Sequence, residues 1–67
     1  MNLSNDAIFG ICQAAAEYQQ LLDVMRCFSS GGYGANKLSE QARKAVRISL
    51  EKKAAFLLHK IEILVAS

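Results

Sequence analysis

Three glycines within four residues divide the chain into two segments that share one kind of periodicity. Gly31, Gly32 and Gly34 form this cluster in a chain of 67 residues that contains no proline. Glycine adopts the left-handed backbone that ends helices, and the absence of proline leaves each flanking segment free to form a long helix. The cluster therefore predicts a single domain over residues 1–67, in which a glycine-rich turn at 29–36 joins two helices.

Apolar residues before the turn recur at alternating intervals of three and four, the pattern of a coiled-coil seam. This spacing predicts a helix over residues 5–28, for which Ser4, Asn5 or Asp6 can supply the N-cap. A second row of apolar residues, spaced by seven, runs beside the seam and widens the stripe: Ala7, Ala14, Leu21 and Phe28. The seam itself is expected to face the hairpin core through Ile8, Ile11, Tyr18, Leu22 and Met25.

A similar pattern after the turn predicts a second helix over residues 38–65, capped by Asn36 or Ser39. Its expected core residues are Val46, Leu50, Leu57, Ile61 and Leu64. A turn of about eight residues between two helices makes an antiparallel two-helix hairpin the simplest fold. The predicted fold class is therefore all-α.

The chain carries more apolar side chains than one hairpin can bury. Apolar residues make up 52% of the sequence, whereas a pair of helices covers only one stripe on each. Exposed apolar patches usually mark association surfaces, so we expect partner-binding residues off the seam. These are Phe9, Phe28, Phe56, Leu58, Ile63 and Val65. Either a second copy, as a homodimeric four-helix bundle, or a different helical protein would complete the fold.

Charge is distributed unevenly between the two halves of the chain. Residues 1–28 contain three acidic residues and one arginine, whereas residues 37–67 contain seven basic and three acidic residues. This distribution predicts either that the two halves attract each other in the folded hairpin, through surface pairs that are common and weak, or that the second helix presents a basic face. A basic face with Arg43, Lys44 and Arg47 predicts the less favoured function, a small dimeric nucleic-acid-binding regulator.

The sequence contains no residue pattern typical of an enzyme or a metal site. His59 is the only histidine, and a general base needs an oriented partner and a cleft. Cys12 and Cys27 would lie roughly 22 Å apart on one helix, so we expect reduced, partly buried thiols and no intramolecular disulfide. We therefore expect no catalytic residues, no metal, no cofactor and no small-molecule substrate. Without a signal peptide or a segment that could span a membrane, the expected location is the cytoplasm.

The length of the chain, Ser30-Gly31-Gly32 at the turn and an apolar ending carry a family resemblance. That ending is Phe56-Leu57-Leu58, followed by Ile61 and by Ile63-Leu64-Val65. In these features the chain resembles the small needle-protein co-chaperones of bacterial type III secretion systems. The resemblance implies a cytosolic adaptor that pairs with a larger helical-repeat chaperone, and the two together keep a needle subunit from polymerising. The extension Tyr33-Gly34-Ala35-Asn36 and the basic residues Arg43, Lys44 and Arg47 have no counterpart in this pattern.

Overall fold

A computed structural model describes residues 2–66 and confirms the all-α helical hairpin. Helix α1 spans Asn5–Ser29 and helix α2 spans Glu40–Ala66, and a single 3₁₀ turn over Ala35–Lys37 lies between them. No strand occurs within residues 2–66. Helix α1 ends one residue later than expected, and α2 begins two residues later and ends one residue later. These differences arise at the turn and at helix ends, where capping sets the boundary.

Both helices begin at a serine that caps the first turn. The backbone N–H of Ala7 donates to the Ser4 hydroxyl oxygen, with an N···O distance of 3.1 Å. The N–H of Ala42 donates to the Ser39 hydroxyl oxygen at the same distance. Each hydroxyl satisfies one of the N–H groups that a helix start leaves unpaired. The structure thus selects Ser4 and Ser39 from the capping residues that the sequence left open.

Helix α1 ends in a Schellman motif formed by Gly31 and Gly32, the first two glycines of the cluster. Gly31 has φ +92°, and its N–H donates to the Phe28 carbonyl oxygen at 3.1 Å. The N–H of Gly32 donates to the Cys27 carbonyl oxygen at 2.8 Å. These two hydrogen bonds are the pair that defines the motif, in which the residue at the Gly31 position takes the left-handed conformation. Because Gly31 and Gly32 have these roles, the chain reverses direction directly after Ser30.

The remainder of the turn contains a second left-handed stretch. Tyr33 has φ +55° and Gly34 has φ +74°, so the backbone turns again before the 3₁₀ segment. Leu38 then returns to an extended conformation, and the Ser39 cap starts α2. The connection therefore occupies residues 30–39 and not the expected 29–36. Tyr33 lies at its tip with an exposed ring.

The two helices lie side by side and form an elongated molecule. Its principal extents are 48 × 16 × 13 Å and its radius of gyration is 15.1 Å. A compact globule of 67 residues would have a radius of gyration of about 11 Å. The described chain contains one ion pair, between Asp23 and Arg26 of α1, so no ion pair joins the two helices. Within residues 2–66, the opposite charges of the two halves are therefore not paired with each other.

Candidate protein-binding surface

The hairpin buries very little of its apolar content. Within residues 2–66, the buried residues are Ala7, Ala14, Phe28 and Ala35, and no residue of α2 is buried. Ten large apolar or aromatic side chains are exposed in the same part of the chain. Burial of apolar surface is the main favourable term in folding, so three alanines and one phenylalanine form a small core. The expected surplus of apolar surface is thus present.

Helix α1 packs against α2 through the row of residues spaced by seven together with one side of the expected seam. Ala7, Ala14 and Phe28 are buried, whereas Ile8 of the seam is 46% exposed. Leu21 of the row is half-buried, and so are three seam residues, Ile11, Tyr18 and Met25. The physical reason is the size of the side chains, because alanines allow two helix backbones to approach closely. Gly10 confirms this close approach, since a β-carbon there would lie 3.0 Å from Leu64 Cδ1. The contact face of α1 is therefore rotated from the seam toward the smaller residues.

Two expected core residues are exposed, and the others are only half-buried. Ile8 and Val46, at 37% exposure, are wrong as core predictions. Ile8 lies about 100° around α1 from the buried Ala7, and Val46 faces a groove described below. The remaining predicted core residues are half-buried: Ile11, Tyr18, Leu22, Met25, Leu50, Leu57, Ile61 and Leu64. The predicted core is thus a partly covered seam with apolar edges.

The expected partner-binding residues are exposed, with one exception. Phe9 and Phe56 are the most exposed of them, at 73% and 68%, and Leu58, Ile63 and Val65 are also exposed. Phe28 is 8% exposed, so its predicted place on the binding surface is wrong. Phe28 continues the buried row of Ala7 and Ala14 and lines a cavity at the turn together with Ala35, which is also buried. It is a core residue of the turn end.

An open apolar groove, here called the lateral groove, runs along one side of the hairpin. Its wider part has a volume of about 450 Å³ and lies between the two helices. The residues that line this part are Glu17, Leu21, Lys52, Lys53, Phe56 and Leu57. A second part of about 250 Å³ continues toward the turn along α2 and shares Lys53 with the first. The residues of the second part are Ala45, Val46, Ser49, Leu50 and Lys53.

The rim of the lateral groove carries charges of opposite sign on its two walls. Glu17 lies on the α1 wall, and Lys52 and Lys53 lie on the α2 wall. None of these three charged residues was expected at the helix contact. The available signal was Leu21, which belongs to the buried row and lies one helical turn after Glu17. Once that row faces α2, Glu17 necessarily borders the helix contact.

A second, polar cavity of about 230 Å³ lies at the turn end of the hairpin. Arg43 and Arg47, one helical turn apart on α2, line it together with Glu40. Lys44, the third residue of the expected basic face, does not line this cavity and lies about 100° around the helix from Arg43. Two of the three basic residues are thus brought together, with an acidic residue beside them.

Several other features bear on chemistry at this surface. Within residues 2–66, no group of three or more histidine, cysteine, aspartate or glutamate side chains is placed to hold a metal ion. Cys12 and Cys27 are unpaired, as expected, but they are exposed and not partly buried. No helix in the described part of the chain is both long and apolar enough to cross a membrane. What the surface presents is apolar area bordered by charges, which is suited to holding another polypeptide.

Comparison of the chain with models of protein families, with curated proteins and with solved structures finds no match.

Proposed function

We propose that the protein is a non-catalytic protein-interaction module, an adaptor or co-chaperone of the cytoplasm, that binds a helical partner in the lateral groove. The observation that carries this proposal is the position of Phe56. Its ring lines the wider part of the groove and is 68% exposed. Aromatic side chains near the centre of an interface are the ones that most often dominate binding energy.

The energetic argument is the amount of apolar surface that a partner would remove from water. Complete burial of a phenylalanine side chain stabilises a complex by about 1.5–3 kcal/mol. Because Phe56 is 68% exposed, its burial by a partner would supply about two thirds of that energy, roughly a 5- to 30-fold gain in affinity. Leu21 and Leu57, which are half-buried beside it, would become covered at the same time. The groove thus offers one aromatic side chain, Phe56, that a partner can bury, with apolar residues beside it.

The shape of the groove favours a helix as the bound element. Its lining residues on α2 extend from Ala45 to Leu57, a length of about 18 Å at 1.5 Å per residue. An amphipathic helix that lies in such a groove contributes residues at three- and four-residue spacing. Ile63 follows Phe56 by seven residues on the same face and would extend the contact. A co-chaperone role, as the family resemblance implies, would use this surface to cover an apolar helix of its client.

The test is site-specific photo-crosslinking with a benzophenone amino acid at position 56. The matched control places the same amino acid at position 55, because Ala55 is also exposed, is adjacent in α2 and lies outside the groove. We expect a stoichiometric protein adduct from position 56 that persists after nuclease treatment, and none from position 55. Equal labelling at both positions, or no adduct at either, would contradict a binding site at Phe56.

Nucleic-acid binding is the second candidate function, and one observation favours it. Arg43 and Arg47 line the same cavity, and neither forms an ion pair with another residue of the described chain. Free guanidinium groups can contact phosphate oxygens. Glu40 in the same cavity would oppose such contacts. Nucleic-acid binding would weaken steeply with added salt and would be lost on replacement of Arg43, Lys44 and Arg47 by glutamine.

A further inference from the structure

We propose that the occupant of the lateral groove is a second copy of this chain, related to the first by a twofold axis parallel to the helices. Two hairpins would then form a four-helix bundle in which α1 of each copy lies on α2 of the other. Glu17 of each copy would face Lys53 of the other copy. This inference rests on the proposed function, since it names the partner that the same groove binds.

The exposed area of the hairpin is large enough for an interface of standard size with a second copy of the chain. The chain exposes 5174 Å² of surface. A folded globular protein of 7.3 kDa exposes roughly 4,200 Å² by the usual scaling of surface with mass. The excess is therefore about 1,000 Å² for each chain, and a stable interface of standard size buries about 800 Å² on each partner. Covering one side of the hairpin would bring the exposed surface close to that of an ordinary folded protein.

The charges on the groove rim select the second copy and its orientation. Glu17 and Lys53 line the same part of the groove from opposite walls, so they lie at the same level along the hairpin. Rotation about an axis parallel to the helices preserves this level and exchanges the two walls. Each Glu17 is thereby placed opposite a Lys53, and the same contact occurs twice because a twofold interface is self-complementary.

The alternative twofold axis, perpendicular to the helices, gives an unfavourable arrangement. It would stack α1 on α1 and α2 on α2 and, with the axis at the level of Phe56, would bring like charges together. Glu17 would then face Glu17, and the lysine pair would face the lysine pair of the other copy. Like charges placed opposite each other at an interface disfavour that arrangement. The parallel axis is the orientation in which the groove is complementary to itself.

Neither Glu17 nor Lys53 forms an ion pair with another residue of the described range, 2–66. In residues 2–66 the ion pair is that of Asp23 with Arg26, so Glu17 and Lys53 remain available to a second copy. Charged pairs at the rim mainly set orientation and specificity, whereas buried apolar contacts supply most of the affinity. Phe56, which lines the same part of the groove, would provide an apolar contact in each half of the interface.

The experiment is sedimentation equilibrium on the full chain, with reductant, over a wide range of protein concentration. We expect the wild-type chain to be a dimer. Glu17→Lys and Lys53→Glu should each weaken dimerisation about tenfold or more at low salt, because each converts two attractive contacts into repulsive ones. The double variant Glu17→Lys/Lys53→Glu should restore the dissociation constant to within about threefold of wild type. Lys44→Glu, the same charge reversal on α2 outside the groove, is the matched control and should have little effect.

Loss of folding in a single variant is recognised by circular dichroism. Because a dimer is stabilised by mass action, its melting temperature rises with protein concentration. We expect this dependence for the wild-type chain and the double variant, and a weaker one for each single reversal. Restoration of both helicity and dimer mass in the double variant would identify the contact even if a single variant unfolds when it dissociates.

Three outcomes would overturn the inference. The wild-type chain could be monomeric at all concentrations up to about 1 mM, the weak end of specific association. It could form a dimer that both single reversals leave intact, so that another face would be the interface. The double variant could fail to restore dimerisation, which would exclude the Glu17–Lys53 contact. If the chain is monomeric and position 56 still crosslinks to a different protein, this inference fails and the proposed function survives; if position 56 yields no adduct either, both fail.

Discussion

Gly10 of α1 packs directly against Leu64 of α2: a β-carbon at residue 10 would lie 3.0 Å from Leu64 Cδ1. This contact is near the open end of the hairpin, far from the turn that joins the helices. It shows that the two helices approach closely at this end, where the row spaced by seven carries the small residues Ala7 and Ala14. The size of the side chain at residue 10 therefore affects the spacing of the helices at this end.

Substitution of Gly10 should have opposite effects depending on the size of the new residue. Gly10→Ala should stabilise the hairpin by about 0.5 kcal/mol, because alanine favours the helix and the flexible end of the half-buried Leu64 can move by a few tenths of an ångström. Gly10→Leu should destabilise it by about 1–3 kcal/mol, because the larger side chain forces the helices apart. Thermal unfolding followed by circular dichroism measures both changes. A lower melting temperature for Gly10→Ala would show that Leu64 cannot move.

Gly32→Ala should destabilise the fold more than Gly34→Ala does. A β-carbon at Gly32 would overlap the Cys27 sulfur and lie 2.9 Å from the Cys27 carbonyl oxygen, whereas none of the surrounding atoms comes within 4 Å of a β-carbon at Gly34. Gly34→Ala should cost about 1–2 kcal/mol through its left-handed backbone alone. Chemical denaturation of both variants gives the comparison. The variant Gly32→Ala/Cys27→Ala should recover only part of the loss, since the carbonyl contact remains.

Phe28 and Phe9 should differ sharply in their contributions to the stability of the fold. Phe28→Ala should cost about 3 kcal/mol, because it removes the one large buried side chain of the described residues. A loss of that size is comparable to the stability of a hairpin this small, so the variant should be largely unfolded. Phe9→Ala, at an exposed position of α1, should change stability by less than about 0.5 kcal/mol. Urea unfolding of the two variants at one fixed protein concentration measures the loss in the free energy of unfolding for each. Equal losses would contradict the assignment of Phe28 to the core.

Ser39→Ala should destabilise α2 by about 1 kcal/mol through loss of its cap. The matched control is Ser49→Ala, the same substitution at an exposed position inside the same helix, where alanine should be neutral or slightly stabilising. Amide hydrogen exchange in the first turn of α2 is the direct measurement. Exchange there should accelerate in Ser39→Ala and stay unchanged in Ser49→Ala. The reverse result would mean that the hydroxyl of Ser39 does not hold the helix start.

The hairpin itself was predictable from the sequence because its determinants are local. Serine caps, apolar periodicity and a glycine cluster each act within a few residues, and all three indicated two helices with one turn. The face of α1 that packs against α2 was not predictable in the same way. Both the row that contains Ile8 and the row that contains Ala7 satisfy a helical period, and hydrophobicity favours the first. Close approach of two backbones favours the second, and this preference depends on α2.

The positions of Phe28 and Glu17 relative to α2 were not predicted, and the reasons are related. Phe28 was expected on the outside because it lies off the seam, yet the same rotation of α1 that exposes Ile8 buries it. Glu17 was not among the residues expected on the binding surface, yet it borders the groove. The exposed positions of Phe56 and Ile63, in contrast, follow from their place on α2 away from either edge of the seam. Positions defined relative to one helix could be derived, and positions defined by how two helices meet could not.

A small change in helix direction at the turn between Ser30 and Ser39 produces a larger displacement farther along α2. Phe56 lies sixteen residues beyond the start of α2 at Glu40, a distance of about 24 Å along the helix axis. A change in helix tilt of about 5° at the turn would therefore displace Phe56 by roughly 2 Å, enough to open or close its contact with a partner. Substitutions around the Schellman motif are thus expected to tune affinity at a groove that they do not touch. The position of Phe56 relative to α1 thus depends on the conformation of the turn as well as on the residues that line the groove.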